Sequence, residues 1–283
     1  MSGAPLTRRG MIRTLVGAGV AAPVLGVYTW KIAPHWLEIV ERGLAIRHLP
    51  DPLIGKKLVQ ISDLHIGPQV DDNYLLDCFR RVRELAPEIV VYTGDFISRY
   101  YDYAVRVERM FPHLPLGSLA TCGILGNHDY GLNCIEQKVA SHVASAAAQA
   151  GIVVLRNEIS EVAGLQIVGM DDFWAGRFLP GLALRGLDRQ RAAIVLSHNP
   201  DTVDCAGWNG YEGWILAGHT HGGQCKPPFL PPPILPVKNR RYVAGEYPLT
   251  GGRSLYINRG VGHLIQARFN VRPEITVFQL TKA

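Results

Sequence analysis

The segment Lys57-Leu58-Val59-Gln60-Ile61-Ser62-Asp63-Leu64-His65 carries most of what the chain says about its fold. Leu58, Val59 and Ile61 are bulky aliphatic residues in a short run that follows Gly55, and they predict a buried strand over 57–61. The strand stops in a polar cluster of Ser62, Asp63 and His65. Open α/β sheets place their ligand sites just beyond the C-terminal ends of strands, and this segment has that form.

The same form recurs outward from it. Glu88-Ile89-Val90-Val91-Tyr92 leads into Thr93-Gly94-Asp95, and Cys122-Gly123-Ile124-Leu125 leads into Gly126-Asn127-His128-Asp129. Ala192 to Leu196 leads into Ser197-His198-Asn199. Trp214-Ile215-Leu216 leads into Ala217-Gly218-His219-Thr220-His221. Between these runs, Tyr74 to Leu85 has helical spacing and stops before Pro87, and Tyr103 to Phe111 reads as a helix closed by Pro112. Ile135 to Ala150 is alanine-rich and ends at Gly151, which predicts a third helix. Further strands are expected at Ile152–Leu155, Leu165–Val168, Ser254–Asn258 and Ile275–Leu280. Leu37, Ile39, Leu44 and Ile46 suggest a strand before the first motif, while Trp36 and Val40 would also suit an interfacial helix. The proline-rich stretch Pro227 to Pro236 reads as an irregular surface loop. The fold class is α/β, with no repeat or linker after Lys31.

Composition agrees with a large core: 283 residues, 47% hydrophobic and 19% charged. That excludes disorder and low-complexity structure. Basic side chains number 29 against 24 acidic, a net charge of +5. Arg8, Arg9 and Arg13 lie in residues 1–30, which hold no acid, so the body has 26 against 24. With no basic stripe along any segment, nucleic acid is not expected as a stable partner. Five widely spaced cysteines without a C-x-x-C argue against a disulfide framework or a thiolate zinc site, though one bridge stays open in an exported chain.

Residues 1–30 read as an export leader: Arg8-Arg9-Gly10-Met11 precedes an uncharged run from Thr14 to Trp30. Paired arginines point to the twin-arginine export machinery, to delivery into the cell envelope, and to a leader that is either cleaved or kept as a membrane anchor. Gly17-Ala18-Gly19-Val20-Ala21-Ala22 also fits a dinucleotide-binding glycine pattern, but no strand precedes it. Residues 31–56 form a lead-in segment, and 57–283 the main domain.

Five strand ends deliver Asp63 and His65, Asp95, Asn127 and His128, His198, and His219 and His221. In an extended segment residues i and i+2 share a side, so D-x-H and H-x-H are each expected to aim two ligands at one place. Carboxylate, amide oxygen and imidazole together suit Mn, Fe or Zn better than Ca or Mg.

In order, D-x-H, G-D, G-N-H-D, a lone His and G-H-T-H resemble the signature of calcineurin-like metallophosphoesterases. The likeness runs over roughly residues 57–280. Asn157-Glu158, Gly169-Met170-Asp171-Asp172, Gly218-His219-Thr220-His221-Gly222-Gly223-Gln224, Asn258-Arg259-Gly260 and Arg272-Pro273-Glu274-Ile275 look like a branch of exported or membrane-attached phosphodiesterases of the YkuE and YaeI type. The resemblance implies two packed mixed β-sheets flanked by α-helices, a four-layer sandwich. It implies two metal ions, one held by Asp63, His65, Asp95 and His221, the other by Asp95, Asn127, His198 and His219. It implies His128 as the catalytic histidine beside the scissile phosphorus. Paired metals clamp a phosphoryl group and activate water for in-line attack. The implied activity is phosphodiester hydrolysis at the envelope, on a lipid-linked nucleotide sugar such as UDP-2,3-diacylglucosamine, a phospholipid or a wall polymer. A phosphomonoesterase and a metal-binding scaffold without turnover are the alternatives. A serine hydrolase is excluded by the lack of G-x-S-x-G.

Other polar residues read more plainly. His35, His48, His113 and His142 have no motif context and are expected at the surface or satisfied. His263 falls near the substrate face. Asp129 either ties down its turn or supports a ligand. Asp171, Asp172 and Trp174 are expected to be structural. Arg99, Tyr100 and Tyr101 read as packing rather than a substrate grip. Lys238, Arg240 and Arg241 are expected on a solvated loop, with anionic lipid or glycan as the alternative.

Overall fold

The structure, a computed structural model, describes residues 23–98 and 102–283. Arg8, Arg9, Arg13 and the glycine pattern of the leader lie outside the described residues, as do Arg99, Tyr100 and Tyr101.

Two mixed six-stranded sheets pack face to face. The first holds β1 (Glu38–Ile46), β2 (Lys57–Ile61), β3 (Ile89–Thr93), β4 (Ala120–Ile124), β5 (Val153–Val154) and β12 (Glu274–Lys282), in the order β1-β12-β2-β3-β4-β5. The second holds β6 (Glu158–Val162), β7 (Leu165–Gly169), β8 (Ala193–Leu196), β9 (Gly213–Ala217), β10 (Gly245–Pro248) and β11 (Arg253–Ile257), in the order β10-β11-β9-β8-β7-β6. Strands β2, β3, β4 and β5 run parallel, as do β7, β8, β9 and β11. Their C-terminal ends therefore gather along one edge of each sheet. The lead-in segment supplies β1, which pairs parallel with β12 along its whole length, so the strand reading of that stretch holds over the helix.

Between the sheets, Leu58, Val91 and Ile124 from one layer meet Ile167, Leu196 and Leu216 from the other. Outside the first sheet lie α1 (Asp72–Glu84), α2 (Tyr103–Met110) and α3 (Gln137–Gln149). Helix α1 buries Leu75, Cys78, Phe79 and Val82, one stripe at i, i+3, i+4 and i+7. Its start is set by Asp71, whose carboxylate accepts from the Tyr74 N–H at 2.9 Å. The outer face of the second sheet is covered differently. Among the described residues the single turn α4 (Pro180–Ala183), the 3-10 turn Pro200–Asp204 and irregular segments carrying Trp208, Tyr211 and Tyr242 pack there. Strands β6 and β10, which sequence patterning did not single out, are edge strands held by antiparallel pairing to β7 and β11. Among the described residues no two cysteines are joined in a disulfide.

Candidate metal centre

Just below the site, Gln60 on β2 joins the two sheets: its amide donates to Thr93 Oγ1 at 3.0 Å and to the Ala217 carbonyl at 2.9 Å. Beyond that tie, the ends of β2, β3, β4, β8 and β9 release every candidate ligand into one buried space. The route differs from simple alternation. Asp63, His65, Asp95, His219 and His221 all take left-handed backbone, with φ of 51, 49, 55, 71 and 50°. The strands end at Ile61 and Ala217, and the chain curls beyond them. The D-x-H and H-x-H pairs share a side through that curl rather than through an extended pleat. Left-handed non-glycine residues store strain, and such strain collects at functional sites. Two glycines make the curl feasible. A Cβ on Gly218 would collide with Ser62 Oγ and the Asp63 carboxylate, and one on Gly126 with the Asp95 carboxylate and backbone nitrogen.

Three groups of potential ligand atoms form among the described residues: Asp63, His65 and His221; His65, Asp95 and His128; and Asp95, His198 and His219. In the first, His65 Nε2 faces His221 Nε2 at 3.0 Å, and His221 Nε2 lies 3.3 Å from Asp63 Oδ1. Two imidazole nitrogens cannot both be lone pairs at that distance without a cation or proton between them. Asp95 links the groups: its Oδ2 lies 3.7 Å from His65 Nε2 and 3.2 Å from His198 Nε2. Its Oδ1 accepts from the His128 N–H at 2.8 Å, which draws the Asn127–His128 turn to the same place. Asn127 keeps a buried Oδ1 with no hydrogen-bond partner. The donor set of buried carboxylates, imidazoles and an unspent amide oxygen fits divalent metal ions.

Backbone carbonyls fix two of the rings. His198 Nδ1 lies 2.7 Å from the Thr93 carbonyl, leaving Nε2 turned to Asp95. His219 Nε2 lies 2.8 Å from the Pro236 carbonyl, leaving Nδ1 3.2 Å from His198 Nε2. Neither carbonyl carries a sequence signal, since any residue supplies one. Asp129 ties two ligand loops together, accepting from the Gly126 N–H at 2.9 Å and the Ile97 N–H at 3.1 Å. Trp174 stands edge-on to His219 at 4.6 Å, so it touches the site as well as packing.

Burial sets the electrostatics. It holds His65 and His221 well below the usual imidazole range and His219 down to about 3, so these rings stay neutral. At His198 burial is outweighed by Asp95, Asp63 and Asp172, which lift it to about 10. At Asp95 burial is outweighed in turn by His198 and His128, and the carboxyl falls well below its ordinary value. Burial raises Asp63 to about 6 and, with Asp95 adding to it, Asp129 to about 8. Perturbed values of opposite sign packed together mark functional sites.

His263 is buried but belongs to none of the three groups; its Nε2 lies 2.9 Å from the Gln69 carbonyl. Asp171 meets Tyr130 and Arg156, and Asp172 caps the Ala175 N–H at 2.7 Å. Arg268, fully buried, donates to the carbonyls of Arg259, Gly260 and Gly262 and lies 3.5 Å from His221 Nδ1. No sequence pattern around Arg268 marks it as buried, because a lone arginine carries no sign of being inside.

Comparison with known proteins finds relatives along most of the chain. The family model described as Calcineurin-like phosphoesterase matches residues 56–223. The chain is 32% identical to "Phosphodiesterase YaeI" of Escherichia coli, over 89% of this chain and 92% of that protein. It is 30% identical to "Uncharacterized metallophosphoesterase YkuE" of Bacillus subtilis, over 97% and 98%. It is 27% identical to "UDP-2,3-diacylglucosamine pyrophosphatase LpxG" of Chlamydia trachomatis, over 92% and 94%.

Proposed function

The chain belongs to the calcineurin-like phosphoesterase family, and on that premise we propose that it is a dinuclear phosphodiesterase of the cell envelope. The observation that carries this is the placement of Asp95, one carboxylate facing both His65 and His198. Asp63, His65, Asp95 and His221 would hold one ion, and Asp95, Asn127, His198 and His219 the other; the donor set suits Mn, Fe or Zn. When bound, such a pair supplies Lewis acidity that neutralises phosphoryl charge and makes water a stronger nucleophile.

The chain's own residues do the rest. The carbonyls of Thr93 and Pro236 fix the rings of His198 and His219, so those ligands need no reorientation when the site fills. Asp129 holds the Asn127 turn against the Asp95 loop. His128 lines the cavity with its ring edge-on to His65 at 4.8 Å, and from there it protonates the leaving oxygen. A diester carries one negative charge at phosphorus and a monoester carries up to two. Among the described residues no Lys or Arg lines the cavity over the site, which favours the diester. The relatives named above fit this: a phosphodiesterase and a pyrophosphatase both act at phosphorus bearing two substituents. The substrate is a lipid-linked nucleotide sugar such as UDP-2,3-diacylglucosamine, a phospholipid or a wall polymer.

Residues 1–30 direct the chain to the envelope through the twin-arginine machinery, which carries folded proteins. Among the described residues no helix is long and apolar enough to cross a membrane. Replacing Arg8 and Arg9 by Lys is expected to leave the protein in the cytoplasm on cell fractionation; unchanged delivery contradicts the export reading.

The activity is tested by assaying bis-p-nitrophenyl phosphate and p-nitrophenyl phosphate side by side, after chelation and after adding back Mn²⁺. Diester turnover should vanish with chelation and return with metal. Preference for the monoester would make it a phosphomonoesterase, and turnover of neither would make it a scaffold.

A further inference from the structure

The cavity over the metal centre has walls that phosphoryl chemistry does not use. It encloses about 340 Å³ and reaches Asp95, His128, His219 and His221 at its floor. Its sides are Trp174, Ile234, Pro236, Leu264 and Ile265. Apart from those four floor residues and Cys225, no ionisable group lines it among the described residues. Ile234 is 76% exposed and Ile265 69% exposed at the mouth. Large aliphatic side chains held open to water beside a cavity mark a binding surface.

The walls are built rather than slack. Gln224 Nε2 donates to the carbonyls of Ile265 and Ala267, each at 3.0 Å, and its Oε1 accepts from the Leu264 N–H at 3.3 Å. On the facing wall, the Pro236 carbonyl is bound to His219 and Arg240 donates to the Pro232 carbonyl at 2.7 Å. Thr220 Oγ1 is committed to the Val243 carbonyl. The Gln224 and Thr220 side chains on these walls are thus already committed, which leaves the Trp174 indole as the wall's polar side chain, and among the described residues no Lys or Arg lines the cavity for a second phosphate. The apolar rim continues onto the helical segment before β1. There exposed Val27, Trp30 and Ile32 flank Thr29, whose carbonyl accepts from the Arg268 N–H at 2.9 Å, and the Trp30 carbonyl accepts from Gln266 at 3.1 Å.

We propose that this cavity is a hydrocarbon subsite: it takes an aliphatic chain attached within a few atoms of the scissile phosphorus. The assignment rests on the phosphodiesterase reading above and adds the substrate class. Its occupant follows from continuity, because the apolar walls begin at the same His128 and His219 that floor the phosphoryl site. A long polar spacer between phosphorus and chain would fill the greasy volume with groups it cannot satisfy.

The test is a series of p-nitrophenyl alkyl phosphodiesters, methyl to decyl, kept below micelle-forming concentration and assayed with the Mn-loaded full chain. The expected result is a rise in kcat/KM of about fourfold per added methylene until the cavity is full, then a plateau. Ile234→Asp and Ile265→Asp should each flatten that rise; the slope is read within each protein and so does not depend on its absolute rate. A flat series in the unaltered protein, with bis-p-nitrophenyl phosphate still turned over, overturns the subsite and leaves the diesterase reading standing. An unchanged slope in both variants, or a rise seen only when vesicles are added, also overturns it. If a chain with two bound metals turns over no diester at all, the diesterase reading fails and the subsite falls with it.

Discussion

Strands β8 and β9 have the same neighbours at both ends, yet their two ends carry charge in opposite ways. At the C-terminal end His198, His219 and His221 are buried against Asp63 and Asp95, with Asp63, Asp95, His219 and His221 in left-handed backbone. At the N-terminal end a larger cavity, about 560 Å³, is lined by Arg47, Arg189 and Arg191 among others. There the charges are in water: Arg47 pairs with Glu212 and Arg191 with Glu161, all well exposed, and Arg189 donates to the Asn209 carbonyl. Cavity size therefore does not locate the chemistry. Charges taken out of water and turned on one another do, because only there does each neighbour shift the next.

The contrast breaks most sharply at Asp95. Asp95→Asn should lose activity by about 10⁴-fold or more and retain well under two metal equivalents after gel filtration, because on the proposed reading one carboxylate would serve both ions. Two tightly held equivalents in that variant would mean that the bridge is assigned wrongly.

His128→Ala separates proton transfer from metal binding. The variant should bind two ions normally and lose about 10²–10⁴-fold in turnover. The defect should be small for p-nitrophenolate, which leaves without a proton, and large for an alkoxide. Loss of metal from this variant would remove His128 from its role.

A support residue should matter less. Asp129 is poised between the Gly126 and Ile97 N–H groups, and Asp129→Ala should cost about 10–100-fold in metal affinity or activity. Unchanged metal titration would show that the two loops hold their places without it.

The candidate ligands are legible in the sequence because each sits just beyond a short aliphatic run, and strand ends are where α/β sheets present side chains. The ligand backbone was not legible. D-x-H suggests a pleat, but Asp63 and His65 take left-handed φ and donate their N–H groups to the Gly94 and Asp95 carbonyls beyond β3, partners that no local pattern records. Strands β6 and β10 escaped because a polar edge strand such as Glu158–Val162 needs only one neighbour and little apolar patterning. The hydrocarbon walls escaped for a third reason. Pro227 to Pro236 reads as solvated loop, and only its placement opposite Leu264 and Ile265 makes a wall of Ile234.

At the far end of the strands the expected effect is smallest. Arg47→Ala removes one exposed ion pair and should cost less than about 1 kcal/mol in stability, with kcat/KM for the diester unchanged. A loss of activity there would mean that the two ends of the sandwich are coupled.

The central claim is that two ions share Asp95. Anomalous diffraction from crystals of the Mn-loaded protein tests it directly. Two peaks are expected: one beside Asp63, His65 and His221, one beside Asn127, His198 and His219, and both in contact with the Asp95 carboxylate. A single peak, or two peaks of which one does not touch Asp95, would contradict it.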